Sequence, residues 1–565
     1  MNLFNRTLDT IATNRKYHFP IFLVVMLFLT LAMMYFYHPL LDGHDYYFHK
    51  MRMEALMEAI RDGKFPLYID YNAIAGYGYL SKAFYSDFLL IPFAAIGIFT
   101  NFTVAYQSMI FTVTILCGVF TYIAVNQIYK STYAAAISGI LYTFCIYRLI
   151  DLYHRAALGE TIAFTIIPII FLGLYHIIAG DYKKWYILTI GFCLMVYAHT
   201  ISTVMMFIFA VILLLIYIKR LIKEPKRIYY LILSGFVALP ILVYYFIPMI
   251  EQLKSDTFYF ETNPIIELQH AKFSFRTTVW GMTSSIITNE HQIFLPRTGI
   301  LLTIAIGLRL FVRDKSGLVR NADILTGLGL ICILTVTPAF PWHLFPFSKL
   351  NFIQFPWRFY EFASFFFAIA GGYYASLVFS SGSSKRYFAL ASVFVICVMI
   401  TLGTDHKNYK FRLNERNISP TGNVDNHFNI GVGKEYVPGK VPSLAFIDER
   451  GDIVKSQRGI SIIHDISKNK GITSFIVSTE GQDVLELPLI YYKGYKATMD
   501  GKEIPISESG NGLLQVSVSD TGRVEVWYAG TMIQHLSWYI SLLSMLALSA
   551  YIFIANRRQK KNAAN

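Results

Sequence analysis

The sequence predicts a polytopic α-helical membrane protein of about 12–14 spans, with a small extracytoplasmic β-sandwich domain before the last span. Two observations predict the helical part: 15% of the 565 residues are charged, and the mean hydropathy is +0.46. Soluble domains are about 25% charged, so most of this chain does not face water. A third observation predicts the β domain, since apolar and polar residues alternate in short segments between positions 404 and 532.

Apolar runs long enough to cross a hydrocarbon core of about 30 Å recur along the chain. The clear runs lie at 19–38, 102–126, 132–148, 161–179, 185–199, 201–218, 228–250, 298–312, 321–338, 357–379, 387–403 and 533–555. A further run at 84–99 contains Pro92, and we expect it to be re-entrant, packed among other helices, or paired with another span. The first run follows Arg15 and Lys16, and no small-residue cleavage site comes after it. We therefore expect a retained span, not a signal peptide.

Basic residues predict the orientation of these spans. The net charge is +13, and the Lys and Arg residues cluster in short loops between apolar runs, where they mark the cytoplasmic side. This rule places both termini in the cytoplasm. It places outside the segments 39–83, 149–160, 251–297, 339–356 and 404–532, together with the turn at His199. We interpret the positive charge as a topology signal beside the lipid bilayer, because no nucleic-acid-binding motif is present.

The sequence also predicts three regions. Residues 1–403 form a transmembrane domain with a first outside loop at 39–83, residues 404–532 form the β domain, and residues 533–565 form a final span with a basic cytoplasmic tail. Strand-like alternation is clearest at 473–478 and 514–519. Asp500-Gly501 is a strong signal for a tight hairpin turn between two strands.

Several chemistries have no support in the sequence. The five cysteines all lie in apolar runs, so no disulfide framework is expected. The motifs GxxxxGK[ST], HExxH, GxSxG and CxxC are absent, which leaves ATP hydrolysis and zinc proteolysis unsupported. No metal site is predicted.

The first outside loop contains the most informative segment. A helix is predicted from about Asp45 to Arg61, and Asp45, His49 and Arg52 share one of its faces at positions i, i+4 and i+7. A second polar stripe occupies the opposite face and consists of Lys50, Glu54, Glu58 and Arg61. An interfacial helix needs one polar stripe, so the first stripe is expected to face a polar pocket. The structural alternative is an ion pair between Asp45 and Arg52.

Three further outside segments carry candidate substrate-binding residues. Arg155 and Glu160 flank the start of a span, where they form an ion pair or leave Arg155 free to bind a phosphate. His199 lies at a tight turn, where a structural role is the alternative. Trp357 and Arg358 enter a span from outside and are either an interfacial anchor or a substrate-stacking pair.

An acidic first outside loop followed by an amphipathic helix resembles the GT-C glycosyltransferases, which include oligosaccharyltransferases and protein mannosyltransferases. Over nearly its whole length the chain also resembles the bacterial YfhO-like membrane proteins, described too as 6-pyruvoyl-tetrahydropterin synthase-related membrane proteins. The motifs that carry this resemblance are Gly43-His44-Asp45 to Arg52, Tyr77-Gly78-Tyr79, Arg155-Ala156 with Glu160, Phe355-Pro356-Trp357-Arg358-Phe359, Glu435-Tyr436-Val437-Pro438 and Tyr491-Tyr492-Lys493-Gly494-Tyr495 with Asp500-Gly501. No set of three histidines suits a pterin-type zinc site.

The resemblance implies a GT-C-like transmembrane domain and a sugar donor linked to polyprenyl phosphate. It implies that the catalytic carboxylate is Asp45, with Asp42 as the second candidate. Relatives often have a proline-rich stretch where this chain has Phe84 to Asp87, so Asp87 is a candidate additional carboxylate. A cell-envelope polymer such as teichoic acid is the implied acceptor. No cofactor is required for a monophosphate donor, although some GT-C relatives use a divalent metal.

The sequence hypothesis is therefore an inverting glycosyltransferase of the bacterial cell membrane that acts on its outer face. Asp45, supported by His49, deprotonates an acceptor hydroxyl, while Arg155, Arg358 or both hold the lipid phosphate. Two alternatives from other classes remain open: a lipid or polysaccharide transporter or flippase, and a non-catalytic cell-wall assembly protein. A transporter would be expected to carry ionisable residues at mid-depth in its spans and to show related halves, and neither feature is present.

Overall fold

The computed structural model describes residues 10, 14–38, 40, 43–263, 272–284, 295–379, 384–414, 428, 430 and 434–564. Asp42, the second candidate carboxylate, lies outside these residues. Helices dominate the chain up to residue 450, strands occupy the region from 455 to 528, and a long helix follows.

The α-helices of the described chain are α1 His18–Phe36, α2 Tyr46–Arg61, α3 Ser81–Phe84, α4 Ile91–Phe99, α5 Phe102–Tyr129, α6 Thr132–Thr143, α7 Ile146–Leu149, α8 Leu158–Ile178, α9 Tyr186–Ala198, α10 Thr200–Ile216, α11 Ile218–Lys223, α12 Lys226–Ser255, α13 Tyr259–Thr262, α14 Phe275–Thr283, α15 Ile300–Gly307, α16 Gly317–Thr335, α17 Phe359–Val378, α18 Ser384–Asn414, α19 Leu444–Arg450 and α20 Met532–Ala564. A π-helix spans Ile150–Arg155, and 3₁₀ turns precede several helices, among them Tyr182–Lys184 and Pro356–Arg358.

Among the described residues, eight helical segments are long and apolar enough to cross a membrane: Arg15–Phe36, Phe102–Tyr129, Thr132–Arg155, Leu158–Ile178, Lys226–Ser255, Gly317–Thr335, Pro356–Val378 and Met532–Arg558. Shorter apolar helical segments are Phe88–Phe99, Thr200–Ile216 and Ile300–Phe311. The prediction of a polytopic helical membrane protein is therefore confirmed at this level. The finer estimate of about 12–14 spans stays a prediction.

One compact unit consists of residues 1–44, 107–234 and 265–421. Its central helix is α17, which is buried from Phe359 to Ser376 and packs against α6, α15 and α16. Small residues allow the helices to approach closely. A Cβ added to Gly372 would lie 2.2 Å from the Oγ of Ser138 on α6. Gly372 therefore allows α17 to pack directly against the backbone of α6.

The second compact unit consists of residues 45–106, 235–264 and 422–565. It contains nine strands: β1 Lys455–Ser456, β2 Ser461–Asn469, β3 Ile472–Thr479, β4 Asp483–Ile490, β5 Tyr495–Met499, β6 Lys502–Glu503, β7 Ile506–Glu508, β8 Leu513–Val518 and β9 Gly522–Tyr528. They form two antiparallel sheets, ordered β1-β4-β8-β7 and β2-β3-β9-β5-β6. Asp500 and Gly501 both have positive φ and turn β5 into β6, as their sequence predicts.

The two sheets share one hydrophobic core, so the β region is a sandwich. Phe475 and Val524 of one sheet pack in the same cluster as Leu485 and Val516 of the other. The predicted alternating segments 473–478 and 514–519 coincide with β3 and β8. The predicted boundary at residue 403 falls within α18, which continues to Asn414.

A second core in this unit joins the chain after α2 to the residues around the strands. Ile74, Tyr77 and Tyr79 pack with Val437 and Ile490, among others. The backbone N–H of Ile490 donates to the carbonyl of Tyr77 at 2.9 Å. Residues predicted as a first outside loop and residues predicted as a β domain therefore belong to one folded unit.

Candidate functional sites

Charged side chains of the first unit gather where three membrane-spanning segments begin or end. Arg155 is the last residue of the segment Thr132–Arg155, and Glu160 and Arg358 lie within the first residues of Leu158–Ile178 and Pro356–Val378. Glu160 and Glu361 occupy the first turns of α8 and α17, where exposed backbone N–H groups favour negative charge. We call Asp151, Arg155, Glu160, Arg358 and Glu361 the helix-end cluster.

Glu160 is the centre of this cluster. One of its oxygens accepts a hydrogen bond from Arg155 at 3.0 Å and lies 3.5 Å from the Nε of Arg358, while the other accepts from the Tyr147 hydroxyl at 2.5 Å. Arg155 also donates to Asp151. The ion pair between Arg155 and Glu160 that the sequence left open is thus present. The Glu160 side chain is 1% exposed and that of Arg155 is 12% exposed, so Arg155 is the member of this pair that reaches the surface.

The predicted site residue His199 is buried and caps the N-terminus of α10. Its Nδ1 accepts from the backbone N–H of Ser202 at 3.3 Å. The Ser202 hydroxyl donates to Glu361 at 2.8 Å, which connects this cap to the helix-end cluster. His199 therefore has a structural role in positioning the start of α10, whatever else it contacts.

Trp357 and Arg358 have separate partners. The Arg358 guanidinium donates to the carbonyl of Ile353 at 2.7 Å and to the side chain of Gln354 at 3.0 Å, so it holds the turn before α17. The half-buried Trp357 ring is parallel to the ring of Phe355, with centroids 4.4 Å apart. A stacked aromatic surface thus lies one residue from the Glu160-binding arginine.

A further buried group was missed by the sequence analysis. Asp405 on α18 accepts hydrogen bonds from the Tyr37 hydroxyl and from His154 Nε2, the latter at 2.9 Å, and lies 3.9 Å from Arg297. Tyr37 stacks on Tyr153 with ring centroids 3.9 Å apart. The π-helix Ile150–Arg155 therefore supplies residues to two polar groups, since Tyr153 and His154 belong to this one and Arg155 to the helix-end cluster. π-Helical turns are frequent at functional sites.

The second unit contains a buried charge cluster around Arg52 of α2. Arg52 donates to Asp87 at 2.9 Å through Nε, to the carbonyl of Ser86 at 2.8 Å, and lies 3.1 Å from His49 Nδ1. Lys82 forms an ion pair with the other Asp87 oxygen at 2.6 Å. A carboxylate that pairs with Arg52 is thus Asp87. His49, Arg52 and Asp87, three of the predicted site residues, are brought together.

Asp45 immediately precedes α2 and is half-buried. Glu435, within the same unit, was not among the predicted site residues, although its motif carried part of the resemblance. Burial raises the pKa of Glu435 to about 7, and the negative charge of Asp45 adds to this shift. A carboxyl group whose pKa is about 7 can exchange a proton near neutral pH, as general acid and base catalysis requires.

Asp70 is a third unusual carboxyl group in this unit. Its residue is 2% exposed, and its backbone pairs with Tyr79. Burial raises the pKa of Asp70 to about 6, an effect that the positive charge of Lys82 partly offsets. Among the described residues, no three His, Cys, Asp or Glu side chains are grouped as ligands of a metal ion.

Comparison with known proteins gives one informative similarity. No protein-family model matches the chain. An uncharacterized protein of Lactococcus lactis subsp. cremoris is 22% identical over 595 aligned positions, which cover 94% of this chain and 95% of that protein. The helical regions and the β region are therefore matched together in a single relative.

Proposed function

We propose that the chain is a GT-C-type, YfhO-like glycosyltransferase that transfers a sugar from a polyprenyl-phosphate donor to a cell-envelope polymer. The observation that carries this proposal is the helix-end cluster, where two guanidinium groups and three carboxyl groups meet at the ends of apolar spans. A lipid-linked phosphate needs cations at this depth, beside the hydrocarbon core and within reach of the aqueous phase.

Arg155 is the residue assigned to the donor phosphate. Its side chain is partly exposed, and its planar guanidinium suits a phosphate oxygen pair. Because Asp151 and Glu160 hold it from one side, its orientation is fixed before a ligand binds, which lowers the entropy lost on binding.

Asp45 is the residue assigned to the acceptor. As a general base it accepts the hydroxyl proton while the hydroxyl oxygen attacks the anomeric carbon. The bond between that carbon and the phosphate oxygen breaks, and polyprenyl phosphate leaves with the electron pair. Each assignment can be tested in a variant of its own.

The position of the charged residues disfavours the transporter alternative. Ionisable groups on a transport pathway lie near mid-depth of the spans, whereas Arg155, Glu160 and Arg358 lie at segment ends. With both termini in the cytoplasm, as the basic loops predict, these ends face the outside of the cell membrane. That is the side on which a cell-envelope polymer is available as acceptor.

The test is sugar transfer by the purified full-length protein in detergent, with a panel of undecaprenyl-phosphate sugars and wall-polymer acceptors. We expect transfer by the wild type and by Asp62→Asn, and no transfer by Asp45→Asn. Asp62 is a matched control because it caps the other end of α2 and forms a surface ion pair with Lys470 at 3.0 Å, a contact of about 0–1 kcal/mol.

Undiminished transfer by Asp45→Asn would show that Asp45 is not the base. Absence of transfer from every donor, together with movement of a labelled lipid across liposomes containing the protein, would replace the enzyme by the transporter alternative.

A further inference from the structure

A basic cavity of about 380 Å³ lies in the first unit, at the ends of the spans that are opposite to the helix-end cluster. It is lined by Ile178, Ala179, Arg220, Lys223, Glu224 and Arg227, at the end of α8, along α11 and at the start of α12. None of these residues belongs to the helix-end cluster, which lies at the start of α8. The cavity is therefore separated from that cluster by the length of a membrane-spanning helix.

Three cations and one carboxylate line the cavity, but they are not equivalent. Arg227 pairs with Glu224 at 2.8 Å and donates to the carbonyls of Ile177 and Gly180 at 2.9 and 3.1 Å. Arg227 thus satisfies the last carbonyl groups of α8, a stabilising role at a helix C-terminus. In the part of the chain that the structure describes, Arg220 and Lys223 have no carboxylate partner, and both are exposed.

An apolar groove continues from this cavity between the helices. It shares Ile178, Ala179 and Arg220 with the basic cavity and is lined further on by Tyr129, Phe171, Leu174, Leu213 and Leu325, among others. Its free volume is about 70 Å³, which is too small for a lipid head group. Arg220 therefore stands where a charged opening meets a narrow apolar groove between spans.

We propose that this cavity binds a lipid whose phosphate-bearing head group has a net negative charge. Arg220 and Lys223 contact the phosphate, and the apolar groove takes part of a hydrocarbon chain. Basic pockets between transmembrane helices on the cytoplasmic side are suited to anionic lipid head groups, and the basic loops predict that side for this cavity. The source of the phosphate is either an anionic phospholipid or a polyprenyl phosphate, and the test separates the two.

The site is tested by native mass spectrometry of the full-length protein in detergent. Phosphatidylglycerol, phosphatidylcholine and undecaprenyl phosphate are offered at equal concentration, and retained lipid is quantified. We expect the wild type to retain a phosphate lipid of net negative charge over phosphatidylcholine. The variant Arg220→Ala/Lys223→Ala is expected to lose affinity roughly 25-fold, since each surface cation contributes roughly fivefold.

Two further variants separate a built site from general surface charge. Lys183→Ala/Lys184→Ala removes the same charge from the same predicted side without altering the cavity lining, and we expect retention close to wild type. Ala179→Trp keeps both cations but fills the junction of cavity and groove, and we expect it to lose the lipid. This variant also tests the site if the double alanine variant does not fold.

Preference for undecaprenyl phosphate over phosphatidylglycerol would identify the polyprenyl carrier as occupant, and the reverse preference would identify a bulk phospholipid. Equal losses in both double variants, or retention of phosphatidylcholine as strong as that of the anionic lipids, would overturn the site. Displacement of the lipid by inorganic phosphate at the same concentration would also overturn the site, because the groove would then contribute nothing to the affinity for the lipid. These outcomes are independent of the proposed sugar transfer.

Discussion

The contacts of the helix-end cluster predict how neutralising its charges changes the stability of the protein. Arg155→Gln leaves Asp151 and Glu160 without their shared guanidinium group, and Glu160→Gln leaves Arg155 and Arg358 without their shared carboxylate. The double variant Arg155→Gln/Glu160→Gln removes one charge of each sign. If charge pairing holds the cluster together, the double variant loses less unfolding free energy than the sum of the losses in the two single variants.

The size of the effect follows from burial. Glu160 is 1% exposed and the Arg155 side chain 12% exposed, so neither charge is well hydrated once its partner is lost. Removing one partner of a buried ion pair costs about 3–5 kcal/mol. Arg155 keeps Asp151 as a partner when Glu160 is neutralised. We therefore expect Glu160→Gln to cost about 3 kcal/mol of unfolding free energy, and Arg155→Gln to cost more within that range. The coupling free energy between the two is expected at about 2 kcal/mol.

The measurement is unfolding of each purified variant by SDS titration in mixed micelles, followed by far-UV circular dichroism, together with sugar transfer. The double variant is expected to cost about 2 kcal/mol less than the sum of the two single costs. It is expected not to transfer sugar, because Arg155 is assigned to the donor phosphate. Single costs that add without coupling would refute charge pairing as the organising interaction. Recovery of transfer in the double variant would refute the phosphate role of Arg155.

Two other predictions concern the carboxyl pair and a close backbone approach. Glu435 has a pKa raised to about 7, above that of about 4.3 in an unfolded chain, so the native state holds the extra proton. The free energy of unfolding is therefore highest below about pH 4.3 and falls by roughly 3 kcal/mol as the pH rises to about 7. Glu435→Gln should remove this slope from pH-dependent unfolding curves. A Cβ on Gly43 would lie 2.7 Å from the Cβ of Ala156, whose φ of 54° fixes the local backbone. Gly43→Ala should therefore lower stability by about 1–3 kcal/mol. Gly327→Ala, where an added Cβ has nothing within 4 Å, should be neutral or stabilising by up to about 1 kcal/mol in the same SDS unfolding assay.

The sequence was informative wherever local periodicity determines structure. The two polar stripes of α2 follow from 100° per residue, and the structure buries His49 and Arg52 while Lys50 and Glu54 form a partly exposed ion pair. Strand alternation located β3 and β8 for the same reason. Neither pattern contains information about partners far along the chain, which is why the pairing of Arg52 with Asp87 was not predicted.

Asp405 shows where this kind of inference ends. It follows an apolar run, and nothing in its neighbours distinguishes it from a solvated residue at the end of a span. Its partners Tyr37 and His154 are 368 and 251 positions away, so only the packing of α18 with the first span and the π-helix brings them together. A charge buried this deeply is retained only with partners that compensate it. The π-helix supplies one of these partners, His154, and the same six residues orient Arg155 toward Glu160. Any change that restores a regular α-helical turn between Ile150 and Arg155 would thus displace both groups at once, which makes this turn the structural link between the buried Asp405 and the candidate phosphate-binding arginine.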